Sequence, residues 1–184
     1  MSLEEIAKKI ELAEYDKPEK ASGLKEKLLD RIAWDAYYND RVYQGCSRAV
    51  LYALQTHLNL GTREVLIASA PLSGGVARMG ETCGALLGGI MAIGLRFGSE
   101  NLGNRTAYDK TMEASYKMYT KFKKKMGSTI CLEIQKRLFG RSFDFKNDEE
   151  SEEWHKAGGL EKCPMVCAIA ARIAADIILK KNLK

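Results

Sequence analysis

The chain has 184 residues, 46% hydrophobic and 29% charged, a size and balance that suit one ordinary globular domain and exclude wholesale disorder. Its 29 basic and 24 acidic residues leave a formal charge of +5, spread along the chain apart from Lys121, Lys123, Lys124 and Lys125. No concentrated basic stripe with interleaved aromatics argues for nucleic-acid binding, and the scarcity of proline, with 3 in all, favours helices.

Leu3, Ile6, Ile10 and Ala13 recur at helical spacing and predict an amphipathic helix over residues 2–15, capped by Ser2 with Glu5 and stopped at Lys17-Pro18. A second helix is expected over residues 22–38 with Leu24, Leu28, Ile32, Trp34 and Ala36 as its apolar positions, and a third over residues 45–58. Thr62 opens a short helix reaching about Ser69. Nine of the 16 glycines then fall between Gly74 and Gly103. No strand precedes them, so a dinucleotide-binding fingerprint has no support. They read as a tight loop leading into a close-packed helix over residues 82–97, where Gly84 and Gly88 let another backbone approach.

Residues 104–126 form a long predicted helix with Tyr108, Met112, Tyr116, Tyr119 and Phe122 on its apolar side, and a shorter one follows from Ser128 or Thr129 to Phe139. Residues 147–153 are an acidic helix start or loop, and an alanine-rich helix opened by Pro164 runs to about Leu179. The sum is one all-α, bundle-like domain over residues 1–184 with a central Gly-rich helix. Residues 1–40 stand out as an appended helical pair and 41–180 as the core. The longest apolar stretch, Cys83 to Leu95, has 13 residues, short of the roughly 18 that membrane insertion demands. Met1-Ser2-Leu3-Glu4-Glu5 lacks the features of a secretory signal, so a cytoplasmic location is expected.

Five cysteines, an odd number in such a chain, argue against a disulfide scaffold. Cys46 follows Gly45 at one predicted helix start, Cys83 follows Thr82 at another, and Cys131 lies in the first turn after Ser128-Thr129. Cys163 precedes Pro164 as the expected cap of the last helix, with Cys167 one turn on. Helix N-termini carry unpaired N–H groups and partial positive charge, which stabilise thiolate over thiol. Free cysteine is also a common buried filler, the alternative for any one of these residues.

The segments Gly45-Cys46-Ser47-Arg48-Ala49-Val50-Leu51, Ala77-Arg78-Met79-Gly80-Glu81-Thr82-Cys83-Gly84-Ala85-Leu86-Leu87-Gly88, Cys131-Leu132 after Gly127-Ser128, and Cys163-Pro164 resemble a known family. It is the C-GCAxxG-C-C family, named for its cysteine pattern and for an inferred redox activity. The resemblance covers about residues 34–179, with the central motif reading Cys-Gly-Ala where the family label writes Gly-Cys-Ala. It implies a helical fold and a four-cysteine redox or metal site at Cys46, Cys83, Cys131 and Cys163. Cys167 lies outside the pattern, and no substrate is implied.

Three functional readings follow. The first is an electron-transfer protein whose Cys46, Cys83, Cys131 and Cys163 ligate an iron-sulfur cluster, with zinc or another thiolate-bound metal disfavoured because no closely spaced cysteine pair occurs. The second is a metal-free dithiol redox protein, with Cys163 and Cys167 as attacking and resolving thiols. The third is a helical oligomer with inert cysteines. A homodimer suits the first and third readings, and a redox partner protein the first two. His57 and His155 lie far apart, and the single Glu152-x-x-His155 lacks the second copy that a di-iron bundle needs. No P-loop, zinc-protease motif or nucleophile elbow occurs. Arg78 and Glu81 are expected to pair and fix the central loop.

Overall fold

The computed structural model describes residues 23–180. The predicted helix over residues 2–15 lies outside them. Eight α-helices fill the described residues: α1 Leu24–Tyr43, α2 Cys46–Leu58, α3 Arg63–Ala68, α4 Gly84–Phe97, α5 Arg105–Met126, α6 Cys131–Phe139, α7 Asp148–Lys156 and α8 Gly159–Ile178. A 3-10 turn at Ala70–Leu72 follows α3, and among the described residues there is no sheet, so the fold is all-α as expected.

Local chemistry sets most boundaries. α1 runs past residue 38 to Tyr43 because nothing breaks it before Gln44 and Gly45, both at positive φ. Asn59 closes α2 in the left-handed conformation that asparagine tolerates. Asn104 caps α5 by accepting from the Ala107 N–H at 3.1 Å, and Asn147 caps α7 by accepting from Glu150 N–H at 3.1 Å. Asp148, Glu149 and Glu150 then sit at the positive end of α7, which is why this acidic stretch is helical.

α8 is the hub of the bundle. Most of its residues are buried, and it packs against α1, α2, α4 and α5. The Gly-rich α4 shares the centre, packed on α2, α5 and α8. Ion pairs from α1 to α8 join Lys25 to Asp176, Glu26 and Asp30 to Arg172, and Arg41 to Glu161, numbers that run in opposite directions and so make the two helices antiparallel. Ile32, Leu51, Leu54, Leu86, Ile93, Met118, Phe122 and Ile177 fill the core between them.

Two expectations are corrected. α8 begins at Gly159, not Pro164, because Gly158 (φ 84) turns the chain sharply after α7. A Cβ on Gly159 would stand 2.2 Å from the Trp154 indole, so glycine alone fits the start. Pro164 is then internal, and its missing N–H removes the bond that Leu160 would otherwise accept. On α5 the buried row is Ala114, Met118, Phe122 and Met126, while Tyr108, Met112, Tyr116 and Tyr119 are exposed. The slimmer row nests against Gly89, where a Cβ would lie 2.6 Å from Met118 Cε. Gly84 and Gly88 do let another backbone approach, as expected: a Cβ on Gly84 would stand 2.7 Å from Leu72 O and one on Gly88 2.4 Å from Ser47 O.

Candidate functional site

The α1–α2 corner forms the first wall of the site. Gly45 (φ 123) donates its N–H to Asp40 Oδ1 at 3.1 Å, which closes the corner and leaves Cys46 as the first residue of α2. The neighbouring Ser47 is fully buried; its hydroxyl donates to the Ser69 carbonyl at 2.8 Å and lies 2.7 Å from Ser73 Oγ. These bonds draw the 69–73 segment onto the helix start.

The chain then enters an uncommon conformation. Gly74, Gly75, Val76, Ala77 and Arg78 all have φ between 51 and 73°, one turn of left-handed helix. At a non-glycine residue this conformation costs about 1–2 kcal/mol, and Val76, Ala77 and Arg78 bear it. The turn is closed by Ala77 N–H to Pro71 O at 2.7 Å, Gly80 N–H to Gly74 O at 3.1 Å and Glu81 N–H to Gly75 O at 2.9 Å. Strain of this kind gathers at functional sites. Here it packs the loop against cysteine: a Cβ on Gly75 would stand 2.7 Å from Cys131 Cβ. Arg78 donates to the Phe145 carbonyl at 3.3 Å rather than pairing with Glu81.

Past the turn, an isolated antiparallel bridge joins Thr82 to Ile130. Cys83 N–H donates to Thr129 O at 2.8 Å and Cys131 N–H to Glu81 O at 2.7 Å. The bridge clips the starts of α4 and α6 side by side, with Cys83 at the cap of α4 and Cys131 as the first residue of α6. Cys46 closes on the same point, since a Cβ on Gly84 would lie 2.5 Å from its sulfur. Cys163 arrives from the second turn of α8, so three of the four thiols sit at helix starts and the fourth does not.

Cys46, Cys83, Cys131 and Cys163 all line one cavity of ≈ 680 Å³, together with Asp40, Arg48, Gly74, Arg78, Gln135 and Trp154. Cys167 stands outside it, fully buried, with its sulfur 3.9 Å from the Cys46 carbonyl. Gln135 donates to Cys131 Sγ at 3.5 Å and accepts from the Phe143 N–H at 2.8 Å, which fixes its amide. Trp154, edge-on to Phe145, keeps its indole N–H buried without a hydrogen-bond partner, although it leans on Cys163 closely enough to favour that thiolate slightly. Among the described residues, no group of three or more His, Cys, Asp or Glu side chains is placed to hold a metal ion.

Burial dominates the thiol chemistry. It pushes Cys46 up to about 12, with the Asp40 charge adding to the shift and the Gly74 and Ser47 N–H groups opposing it. Burial likewise lifts Cys83, Cys163 and Cys167 well above the thiol range, and Cys131 to a lesser degree. At Cys83 the N–H groups of Leu86 and Ala85 pull the other way, as a helix start should, but they lose to desolvation. The expectation that helix starts make these thiols acidic is therefore overturned for the metal-free protein. Iodoacetamide at neutral pH should label all five thiols far more slowly in the folded metal-free protein than after unfolding in urea. Rapid labelling of Cys46 in the folded state would contradict the burial argument.

Sequence reasoning passed over Asp40, Gln135 and Trp154. Gln135 lies one helical turn after Cys131 on α6, so i,i+4 spacing could have found it, whereas Asp40 and Trp154 carry no motif and packing brings them to the cavity.

The fold and cavity define a class: an all-α protein in which four thiols from four separate segments line one cavity. Residues 44–177 match the family model described as "Putative redox-active protein (C_GCAxxG_C_C)". The chain belongs to this family. No curated protein and no solved structure matches the chain.

Proposed function

We propose that the chain is a redox protein whose Cys46, Cys83, Cys131 and Cys163 bind an iron-sulfur cluster for electron transfer. The observation that carries this reading is the composition of the cavity wall: four thiols from four separate segments line one space of ≈ 680 Å³, with the Gln135 amide donating to Cys131 Sγ. Sulfide-bearing clusters are anionic and take hydrogen bonds at sulfur, so N–H donors beside the thiols suit them. Soft thiolates suit iron-sulfur clusters, and the lack of a closely spaced Cys-x-x-Cys pair disfavours a structural zinc site. A bound cluster supplies an electron couple whose potential depends on burial and on hydrogen bonds to its sulfurs.

The chain's own residues do the rest. Cys83 and Cys131, clipped together by the Thr82–Ile130 bridge, form a rigid pair. Gly84 allows Cys46 to close on them, and α8 brings Cys163 from the far side. Because burial holds the thiols protonated, loading with metal must release protons, and the metal's charge provides what the helix ends alone do not. Metal-free disulfide chemistry between Cys163 and Cys167 is disfavoured, since Cys167 is fully buried and both thiols are raised.

The test is anaerobic purification, or reconstitution with ferrous iron and sulfide, followed by an absorption spectrum and iron and sulfide analysis. Wild type and Cys167→Ser should carry stoichiometric iron and sulfide. Cys46→Ser, Cys83→Ser, Cys131→Ser and Cys163→Ser should each lose most of both. A colourless wild type after reconstitution, or full loading of Cys46→Ser and Cys83→Ser, would overturn the reading.

A further inference from the structure

Two arginines line the cysteine cavity and form no ion pair among the described residues. Arg48 lies on the first turn of α2, where its side chain donates to the Gln44 carbonyl at 3.0 Å. Arg78 lies at the end of the left-handed turn and donates to the Phe145 carbonyl at 3.3 Å. Both line the cavity and both are exposed. Among the described residues neither forms an ion pair, whereas Arg41, Arg105, Arg141 and Arg172 all do. Both stem from around one segment: a Cβ on Gly45 would lie 3.0 Å from Arg48 Nε and 3.5 Å from the Ser73 hydroxyl, and the Arg78 N–H donates to the Ser73 carbonyl at 3.2 Å.

The strained turn fixes one of these cations. A Cβ on Gly74 would stand 2.9 Å from Arg78 Cα, so the backbone folds back on itself and holds the Arg78 stem at the cavity. Trp154 lines the same cavity and is nine-tenths buried, and its indole N–H has no hydrogen-bond partner. The carboxylates of Asp40 and Asp148 line the same space and neither pairs with either guanidinium. His155 lies beside them. Guanidinium groups bind carboxylates and oxyanions through paired N–H donors in a planar fork.

We propose that the mouth of the cysteine cavity, between Arg48 and Arg78, is a binding site for a small oxyanion. The ligand is an anion with at least two oxygen atoms, held by the two guanidiniums at the rim with the Trp154 N–H as the inner donor. The inference rests on the same cavity as the cluster reading and names the class of small molecule that this cavity admits.

Tryptophan fluorescence reads the site directly. The chain has two tryptophans, so Trp34→Phe leaves Trp154 as the only reporter. At constant ionic strength set with chloride, this protein is titrated with sulfate, phosphate and acetate, which separates a tetrahedral inorganic ligand from a carboxylate. At least one should give a saturable change, with a dissociation constant of about 1 mM or below. Arg48→Gln and Arg78→Gln should each weaken it about tenfold, the usual scale for losing one charge-assisted pair. Arg105→Gln, on the opposite side of a salt bridge to Asp109, should leave it unchanged. Cys83→Ser should retain the titration while losing iron, so the two readings fail separately. If Trp34→Phe does not fold, the wild-type signal from both tryptophans is used, with the same arginine variants. No saturable response to any of the three anions, or equal responses in wild type and both arginine variants, would overturn the proposal.

Discussion

Replacing Gly88 by alanine should lower the melting temperature by about 6–12 °C, the consequence of about 3 kcal/mol of overpacking in a chain of this length. The added Cβ would stand 2.4 Å from the Ser47 carbonyl oxygen and 3.2 Å from Val50 Cβ, and both obstacles belong to α2. The oxygen is backbone and cannot rotate aside. Ser47 is itself anchored to Ser69 and Ser73, so relief would have to move the whole corner that presents Cys46. Gly94 lies on the same helix and supplies the control. A Cβ there meets nothing within 4 Å, so Gly94→Ala should gain about 0.5–1 kcal/mol from lost chain flexibility. Thermal scans by far-UV circular dichroism check both. Equal melting temperatures for the two variants would show that α2 and α4 do not pack as closely as described.

That contrast marks where the sequence is informative. The helices and most of their ends were legible because spacing and caps are local: Asn59, Asn104 and Gly127 each stop or start a helix through their own backbone or side chain. The cysteine set was legible because each thiol sits in a short local segment that carries part of the family pattern. The start of α8 was not, since Pro164 is a strong local signal and the competing signal is a glycine pressed on an indole five residues away, a tertiary contact. The buried face of α5 was misread for a similar reason. Tyrosine and methionine stripes are apolar enough to suit a core, and only the shape of α4 at Gly89 selects the Ala114–Met118–Phe122 row instead. Thiol acidity was misread because helix ends are visible in sequence and desolvation is not.

Asp40→Asn carries the pH prediction. Burial lifts the Asp40 carboxyl to about 6 from the usual carboxylate range, against the opposing pull of the Cys167 thiol and the Gly45 N–H. The folded protein therefore holds a proton that the unfolded chain gives up near pH 4. Its stabilising effect is complete below the unfolded value of 3.8 and is lost as pH rises through about 6. Above that, the metal-free wild type carries a buried charge that costs about 3 kcal/mol relative to an unshifted carboxyl. Asparagine keeps the oxygen that accepts from Gly45 and cannot ionise. The variant should thus be more stable than wild type by up to about 3 kcal/mol at neutral pH, with the advantage shrinking to nearly nothing below pH 4. Urea unfolding of both metal-free proteins across this range gives the difference directly, with other titrating groups cancelling between them. A stability gap independent of pH, or a wild type more stable at neutral pH, would show that Asp40 is solvated or paired in the folded state.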